Sequence, residues 1–352
     1  MKKQLLKQRM ILSLLLLCVA ATFRVWPRLV QDIYEPLPLW AHTNSAELPT
    51  AHTMGTMVVG LNDVIFTPLS GSSSGLQLEQ PARPRPSLEP LPQEYIDSLT
   101  NFNYLTNRIF LVDPETILLP SDIDVHSFLD ADLTIDTGVG GPQVLIFHTH
   151  SAEMFADSNP AYPMTGVMGV GRYLAQILAE HHGIETLHYT GRFDVIDGRS
   201  HRGGSYERME PAIRQILLDH PSIQVVIDLH RDGVGPYHGP FVRYVNDVPT
   251  AQIMFFNGLS RQNRNGQAIA IDRLPNPYQQ ENLNFSFRLQ LAANQLYPGL
   301  ARRVYLRAFR YSLHMMPLST LVEVGNQHNT LQQAKNAMYP LANIITAVVL
   351  GE

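Results

Sequence analysis

The sequence has a single cysteine, Cys18, among 352 residues, and it lies in the apolar N-terminal stretch. An intramolecular disulfide framework is therefore excluded, and so is a zinc finger of paired cysteines. Charge is sparse too: charged residues make up 16% and sum to -5. With no global basic surface, nucleic acid is not an expected partner. No internal repeat is visible. What the chain has in quantity is apolar material, 45% of all residues, enough for one large core or for one core plus a smaller unit.

The N-terminus, M-K-K-Q-L-L-K-Q-R, is basic and leads into an apolar run from Met10 to Phe23. A positive flank before an apolar run keeps its start in the cytoplasm, so everything downstream is expected outside. The run is shorter than the roughly 20 residues that span a bilayer comfortably, though Val25 and Trp26 could extend it at the interface. Val19-Ala20-Ala21 is an indifferent cleavage signal. Residues 1–27 are thus read as a membrane anchor or signal segment, giving a single-pass membrane protein with an extracytoplasmic domain, or a secreted protein if cleaved. Residues 28–94 read as a linker. Ser70–Gly75 (S-G-S-S-S-G) suits a flexible coil and Pro81–Pro92 a stiffer spacer. A short hairpin over Met54–Thr67 is compatible with this.

Residues 95–138 form a lead-in unit in which Ile109–Val112 reads as a strand ended by Asp113-Pro114, and Ser121-Asp122 as a helix cap. His126 is expected on the surface. From about residue 139 to 352, strand patterns at Val144–Phe147, Thr186–Tyr189, Gln224–Asp228, Gln252–Phe256, Val304–Ala308 and Leu318–Val324 alternate with helical patterns. The helical patterns cover Val170–His181, Glu207–His220, Asn282–Tyr297 and Leu331–Leu350. The expected fold class is α/β, a single mixed or mostly parallel sheet flanked by helices. Ligands of such folds gather beyond the carboxyl ends of strands, where His148, His150, His230, Arg231 and Glu323 all fall.

The chemistry centres on V-L-I-F-H-T-H-S-A-E, Val144 to Glu153, in which a strand-like run stops at two histidines followed by a carboxylate. Imidazole nitrogen and carboxylate oxygen suit Zn²⁺, and a catalytic zinc takes about three protein ligands. His150 and Glu153, three apart, make half a site, and His230, ending V-V-I-D-L-H, is the best partner for them. A histidine at a strand end is as commonly a structural hydrogen-bonding group, and His148 taken alone fits that reading equally. Glu323 lies inside S-T-L-V-E-V-G, where an unpaired carboxylate is costly, so a poised general base gives it a reason.

H-T-H-S-A-E, the segment His201 to Ile216 leading into V-V-I-D-L-H-R-D, Y-P-G-L at Tyr297 and L-V-E-V-G-N-Q-H-N-T-L-Q-Q-A-K-N-A together resemble the stage II sporulation protein P family. The likeness covers roughly Phe102 to Glu352, and the basic, apolar N-terminus is similar as well. It implies an amidase-like fold related to zinc exopeptidases and a Zn²⁺-dependent N-acetylmuramoyl-L-alanine amidase acting on peptidoglycan in septal remodelling and engulfment. It also implies some peptide-cleaving activity, a lytic transglycosylase partner and a membrane-protein partner. Carried over residue by residue, the metal ligands fall on His150, Glu153 and His230 and the catalytic glutamate on Glu323. The mechanism that follows from such ligands has zinc with Arg231 or His148 stabilise the tetrahedral oxyanion. The stretch from Ile253 to Tyr278 departs from the family pattern, where F-F-N-G-L-S-R-Q-N-R-N-G and L-P-N-P-Y replace the more usual text around H-P-N-W. Two other readings stay open. A zinc carboxypeptidase would hold a terminal carboxylate with Arg199, Arg202 or Arg231, and a non-catalytic wall-binding protein would keep the fold without the ligands.

Overall fold

β-Branched and aromatic runs set the strands, and a computed structural model of the chain describes residues 87–351 of it. The expected anchor, nearly all of the linker and the Met54–Thr67 hairpin lie outside the described residues. In chain order the structure has α1 (Gln93–Leu99), α2 (Phe102–Arg108), β1 (Phe110–Val112), α3 (Val125–Asp130), β2 (Val144–Phe147), α4 (Val167–His182) and β3 (Thr186–His188). Two-residue strands β4 (Val195–Ile196) and β5 (Arg199–Ser200) precede α5 (Ser205–Asp219) and β6 (Val225–Asp232). Then come β7 (Val242–Val245), β8 (Val248–Ala251), β9 (Ile253–Gly258), β10 (Arg261–Arg264) and β11 (Gln267–Ala270). The chain closes with α6 (Gln279–Leu296), β12 (Ala301–Arg307), β13 (Ser319–Asn326), α7 (Leu331–Asn336) and α8 (Met338–Val349). No helix among the described residues is long and apolar enough to cross a membrane.

Seven strands form one sheet in the order β1-β12-β9-β13-β6-β2-β3. All neighbours are parallel except β9 and β13, so the sheet is mostly parallel and reverses direction once. β1 pairs with β12 through Phe110–Val304 to Val112–Leu306, and Phe110 stacks on Phe287 of α6 at 6.3 Å. The lead-in residues 95–138 thus supply the sheet's edge strand, β1. The expected cap at Ser121-Asp122 serves a single 3-10 turn, Pro120–Asp122, where Asp122 accepts from the Leu119 N–H at 2.7 Å and also from the Arg261 guanidinium. The α3 helix is capped by Asp124, which accepts from the Ser127 N–H. His126 is exposed, as expected.

Alternation along the strands sorts side chains between two faces. Ile146, Ile227, Phe255 and Val322 join the main core with Leu174, Phe285 and Ile345 of α4, α6 and α8. Leu145, Phe147 and Val226 face the other way and pack on Met209, Ile213 and Ile216 of α5. The helix ends carry their own signals. Gly183, left-handed at φ 69, ends α4, and Thr330 with Gln333 forms a capping box at the start of α7. The expected single helix Leu331–Leu350 is two, because the first stops at Asn336 and the second starts at Met338.

Candidate metal centre and active site

Strand register brings the expected residues together. Asp228 pairs with Phe147, and His230 pairs with Glu323. With a period of two, Asp228 and His230 share a face. Beyond β2 the chain turns, the Glu153 N–H donating to the His150 carbonyl, so that His150 and Glu153 come round onto that face. Asp194 fixes the turn by accepting from the Ser151 hydroxyl at 2.7 Å and the Ala152 N–H at 3.0 Å.

His150, Glu153 and His230 can each offer a ligand atom such that all three atoms lie within 4.8 Å of one another. Glu153 Oε1 is 3.7 Å from His150 Nδ1, and its Oε2 is 3.6 Å from His230 Nδ1. Ligand atoms about 2.0–2.1 Å from a tetrahedral zinc lie roughly 3.3 Å apart, so small side-chain movements close this set on one ion. The two imidazoles stand nearly perpendicular at 5.0 Å, each presenting an edge. Two nitrogens and a carboxylate are a donor set that fits zinc.

The outer contacts decide which atoms are available. His230 Nε2 donates to Asp228 Oδ1 at 2.7 Å, which leaves Nδ1 for a metal. Asp228, fully buried, also accepts from the Thr149 N–H at 2.9 Å and the Thr149 hydroxyl at 2.7 Å. A carboxylate behind a ligating imidazole fixes its tautomer and raises its basicity. Burial is the largest single influence on His230 and disfavours its charge. Asp228, through its field and its hydrogen bond, together with Glu153 and Glu323, outweighs burial and raises the His230 pKa to about 9. His150 goes the other way: burial, then the cationic His230 and Arg202, lower its pKa to about 3, so its ring is neutral and its lone pair free. Glu153 is held by Arg202 at 2.5 Å and by the backbone N–H of Arg231 at 2.8 Å.

Glu323 stands one strand over from His230. Its Oε2 is buried without a hydrogen-bond partner. Burial first, then the negative Glu153 and Asp232, push its pKa up to about 8 against the pull of His230 and Arg302. A carboxyl poised this near neutrality can both take and return a proton. Tyr206, in the first turn of α5, lays its ring edge-to-face against His150 at 5.6 Å. Burial first, and then Asp228, Tyr311, Glu323 and Glu153, keep its phenol protonated.

One expected residue, His148, is placed differently. His148 follows Phe147, so alternation sends it to the opposite face, into the main core. There its Nδ1 bonds the Leu229 carbonyl at 2.7 Å and its Nε2 meets His188 Nε2 at 2.9 Å. A side chain on Gly171 of α4 would come within 2.6 Å of the His148 ring. Fully buried, with burial lowering its pKa to about 4, His148 is a neutral structural group with no nitrogen to offer a substrate. Arg231 points its guanidinium at two main-chain carbonyls, Met154 at 2.8 Å and Asp232 at 3.0 Å. These two contacts use Nε and Nη1, and the Arg231 backbone N–H steadies Glu153. The sequence reading also passed over Asp228, Thr149 and Tyr206. Asp228 carried a signal, an acid two residues before His230 inside an otherwise apolar strand.

The model of the family "Stage II sporulation protein P (SpoIIP)" matches residues 113–346, most of the chain. The chain belongs to that family. A search of curated protein sequences finds no match. Among solved structures, the chain is similar to the CwlD amidase from Clostridioides difficile in complex with the GerS lipoprotein, at 14% identity and a TM-score of 0.36, covering 59% of this chain and 95% of that one. It is also similar to the N-acetylmuramoyl-L-alanine amidase AmiC2 of Nostoc punctiforme, at 15% identity and a TM-score of 0.33, covering 58% and 97%.

Proposed function

We propose that this member of the stage II sporulation protein P family is a zinc-dependent hydrolase that cleaves the amide bond between N-acetylmuramic acid and L-alanine in peptidoglycan. The observation that carries the reading is the grouping of His150, Glu153 and His230 beside a carboxyl, Glu323, whose buried Oε2 has no hydrogen-bond partner among the described residues and whose pKa is raised toward neutrality. A bound zinc would supply Lewis acidity, polarising the carbonyl and acidifying a water. Glu323 takes the proton of the attacking water and later delivers it to the leaving amine. Asp228 and Thr149 hold the His230 ring, while Arg202 and the Arg231 N–H hold Glu153.

The proposed setting draws its support from the family likeness and from the basic, apolar N-terminus. The catalytic domain works outside the cytoplasm, tethered by residues 1–27 or released by their cleavage, with the linker giving it reach over the wall. Peptidoglycan is the substrate, with some endopeptidase action on its peptides. A lytic transglycosylase and a membrane protein of the engulfment machinery are the proposed partners.

The test runs the zinc-loaded wild type and Glu323→Gln on intact peptidoglycan and identifies the products by mass. Stem peptides beginning at L-alanine are expected from the wild type. The variant keeps its zinc and loses about 10²–10⁴ in turnover, because an amide cannot accept the proton. Release of only a terminal amino acid would make the enzyme a carboxypeptidase, and no product from metal-loaded wild type would leave a wall-binding protein. Near-normal turnover in the variant would mean that the base lies elsewhere.

A further inference from the structure

Attack on an amide carbonyl places negative charge on its oxygen, and a site that speeds the step aims a donor at it. Of two other side chains near the strand ends, His148 has both ring nitrogens engaged, with the Leu229 carbonyl and His188, and Arg231 commits its Nε and one Nη1 proton to main-chain carbonyls. Tyr206 is different. Its hydroxyl makes no hydrogen bond among the described residues, while its ring sits against the ligand-type His150. Its edge-to-face ring contact with His150, at 5.6 Å, sets the phenol beside the His150, Glu153 and His230 group.

The placement is rigid from both sides. Before α5, the Arg208 guanidinium bonds the carbonyls of Phe193 at 2.6 Å, His201 at 2.7 Å and Gly203 at 2.8 Å, pinning the loop that carries Arg202 to Glu153. Gly204, left-handed at φ 71, lets the chain enter the helix where a side chain would meet Arg208 at 2.9 Å. On the other side Tyr311 meets Tyr206 edge-to-face at 5.5 Å and is backed by Phe256 at 4.7 Å. Tyr311 itself sits at φ 51, a conformation that a bulky residue rarely adopts. Its loop is drawn down onto β9 where Gly258 has no side chain to strike the Phe309 carbonyl. A donor held this way needs no reorganisation when charge appears.

We propose that Tyr206 is a catalytic residue whose hydroxyl donates a hydrogen bond to the oxyanion formed at the scissile carbonyl. The proposal rests on the amidase reading. As the water oxygen adds to the carbonyl carbon, Glu323 takes its proton and the carbonyl π pair moves onto oxygen, where the Tyr206 O–H meets it. Collapse re-forms the C=O, the C–N bond breaks, and the amine leaves with the proton that Glu323 held. Tyr206 keeps its own proton throughout.

Tyr206→Phe keeps the ring contacts and deletes only the donor. In the zinc-loaded full chain, kcat on muropeptide is expected to fall about 10²–10³-fold with KM within about threefold. Zinc content and melting temperature should stay at the wild-type values. Affinity for a phosphinate isostere of the scissile amide, which carries a tetrahedral oxyanion, should drop by the same factor as kcat/KM, while affinity for the product peptide is retained. A kcat within about threefold of wild type, a loss confined to KM, or unchanged phosphinate affinity would each overturn the proposal. If metal-loaded wild type does not cleave muropeptide, the amidase reading fails and the assignment falls with it. Cleavage by wild type and variant alike refutes Tyr206 alone.

Discussion

Asp228→Asn isolates the carboxylate behind His230. The fully buried Asp228 accepts from the Thr149 N–H, the Thr149 hydroxyl and His230 Nε2. Asparagine keeps the shape and one acceptor oxygen, and the Thr149 hydroxyl can rotate to accept from the new amide. What is lost is the charge. Two effects follow. Removing such an outer partner costs about 10–100-fold in metal affinity, or about 1.4–2.7 kcal/mol. In the metal-free protein, a His230 pKa raised from 6.5 to about 9 represents on the order of 3 kcal/mol in favour of its imidazolium.

The sign gives the pH window. A raised histidine pKa stabilises the fold fully below its unfolded value of about 6.5, and that contribution fades as pH climbs through about 9. The lowered Asp228 pKa stabilises above its unfolded value of about 3.9 and is lost as pH falls through the folded value. The pair therefore contributes most between about pH 4 and 6.5 and declines toward pH 9. Zinc titration by competition with a chelating dye, and urea melts of the apo protein from pH 5 to 10, measure the two effects. The stability difference between wild type and Asp228→Asn should narrow above pH 9. Zinc affinity changed by less than about threefold, together with a pH-independent stability difference, would refute the coupling.

Zinc loading should release at least about one proton at pH 7, since the metal displaces the Nδ1 proton of a cationic His230; calorimetry in buffers of different ionisation enthalpy counts it, and none released would mean that His230 is neutral in the apo protein. Gly171→Ala should destabilise the fold by about 1–3 kcal/mol or more, because the new methyl would stand 2.6 Å from the His148 ring, backed by His188; a chemical melt unchanged from wild type would contradict that packing. The full-length protein should fractionate with membranes or the exterior, and a fusion starting after Pro27 should be soluble and active on added substrate. Recovery of full-length protein in the cytosol would remove the anchor from the account.

Local pattern reached some features and missed others for definite reasons. The runs V-L-I-F and V-V-I-D-L-H-R-D are strands because β-branched and aromatic side chains fit a pleated surface; the first has the expected bounds, and the second, expected over Gln224–Asp228, runs on to Asp232. His150 and Glu153, three apart after a strand, and Glu323, an acid in an apolar run, announced themselves by spacing and by the cost of burying charge. Strand order could not be read this way. The direction reversal between β9 and β13 and the edge role of β1 depend on pairings between segments distant in the chain, Leu321 with Phe256 and Phe110 with Val304 among them.

The fate of each side chain next to the site was a matter of faces and of distant partners. One residue of phase separates Phe147 from His148, and that step sends His148 through the sheet to Leu229, His188 and Gly171. The direction of the Arg231 side chain was set by the Met154 carbonyl, supplied by a loop that sequence alone does not bring near. Tyr206 came to His150 only because α5 crosses the face opposite the main helices. The sequence by itself determined which donors exist and that three of them suit a metal, because ligand chemistry is a property of residue type. Tertiary structure decided which nitrogens, carboxyls and hydroxyls remain free to act, because hydrogen bonds to distant partners engage some of them and, among the described residues, leave the Glu323 Oε2 and the Tyr206 hydroxyl without one.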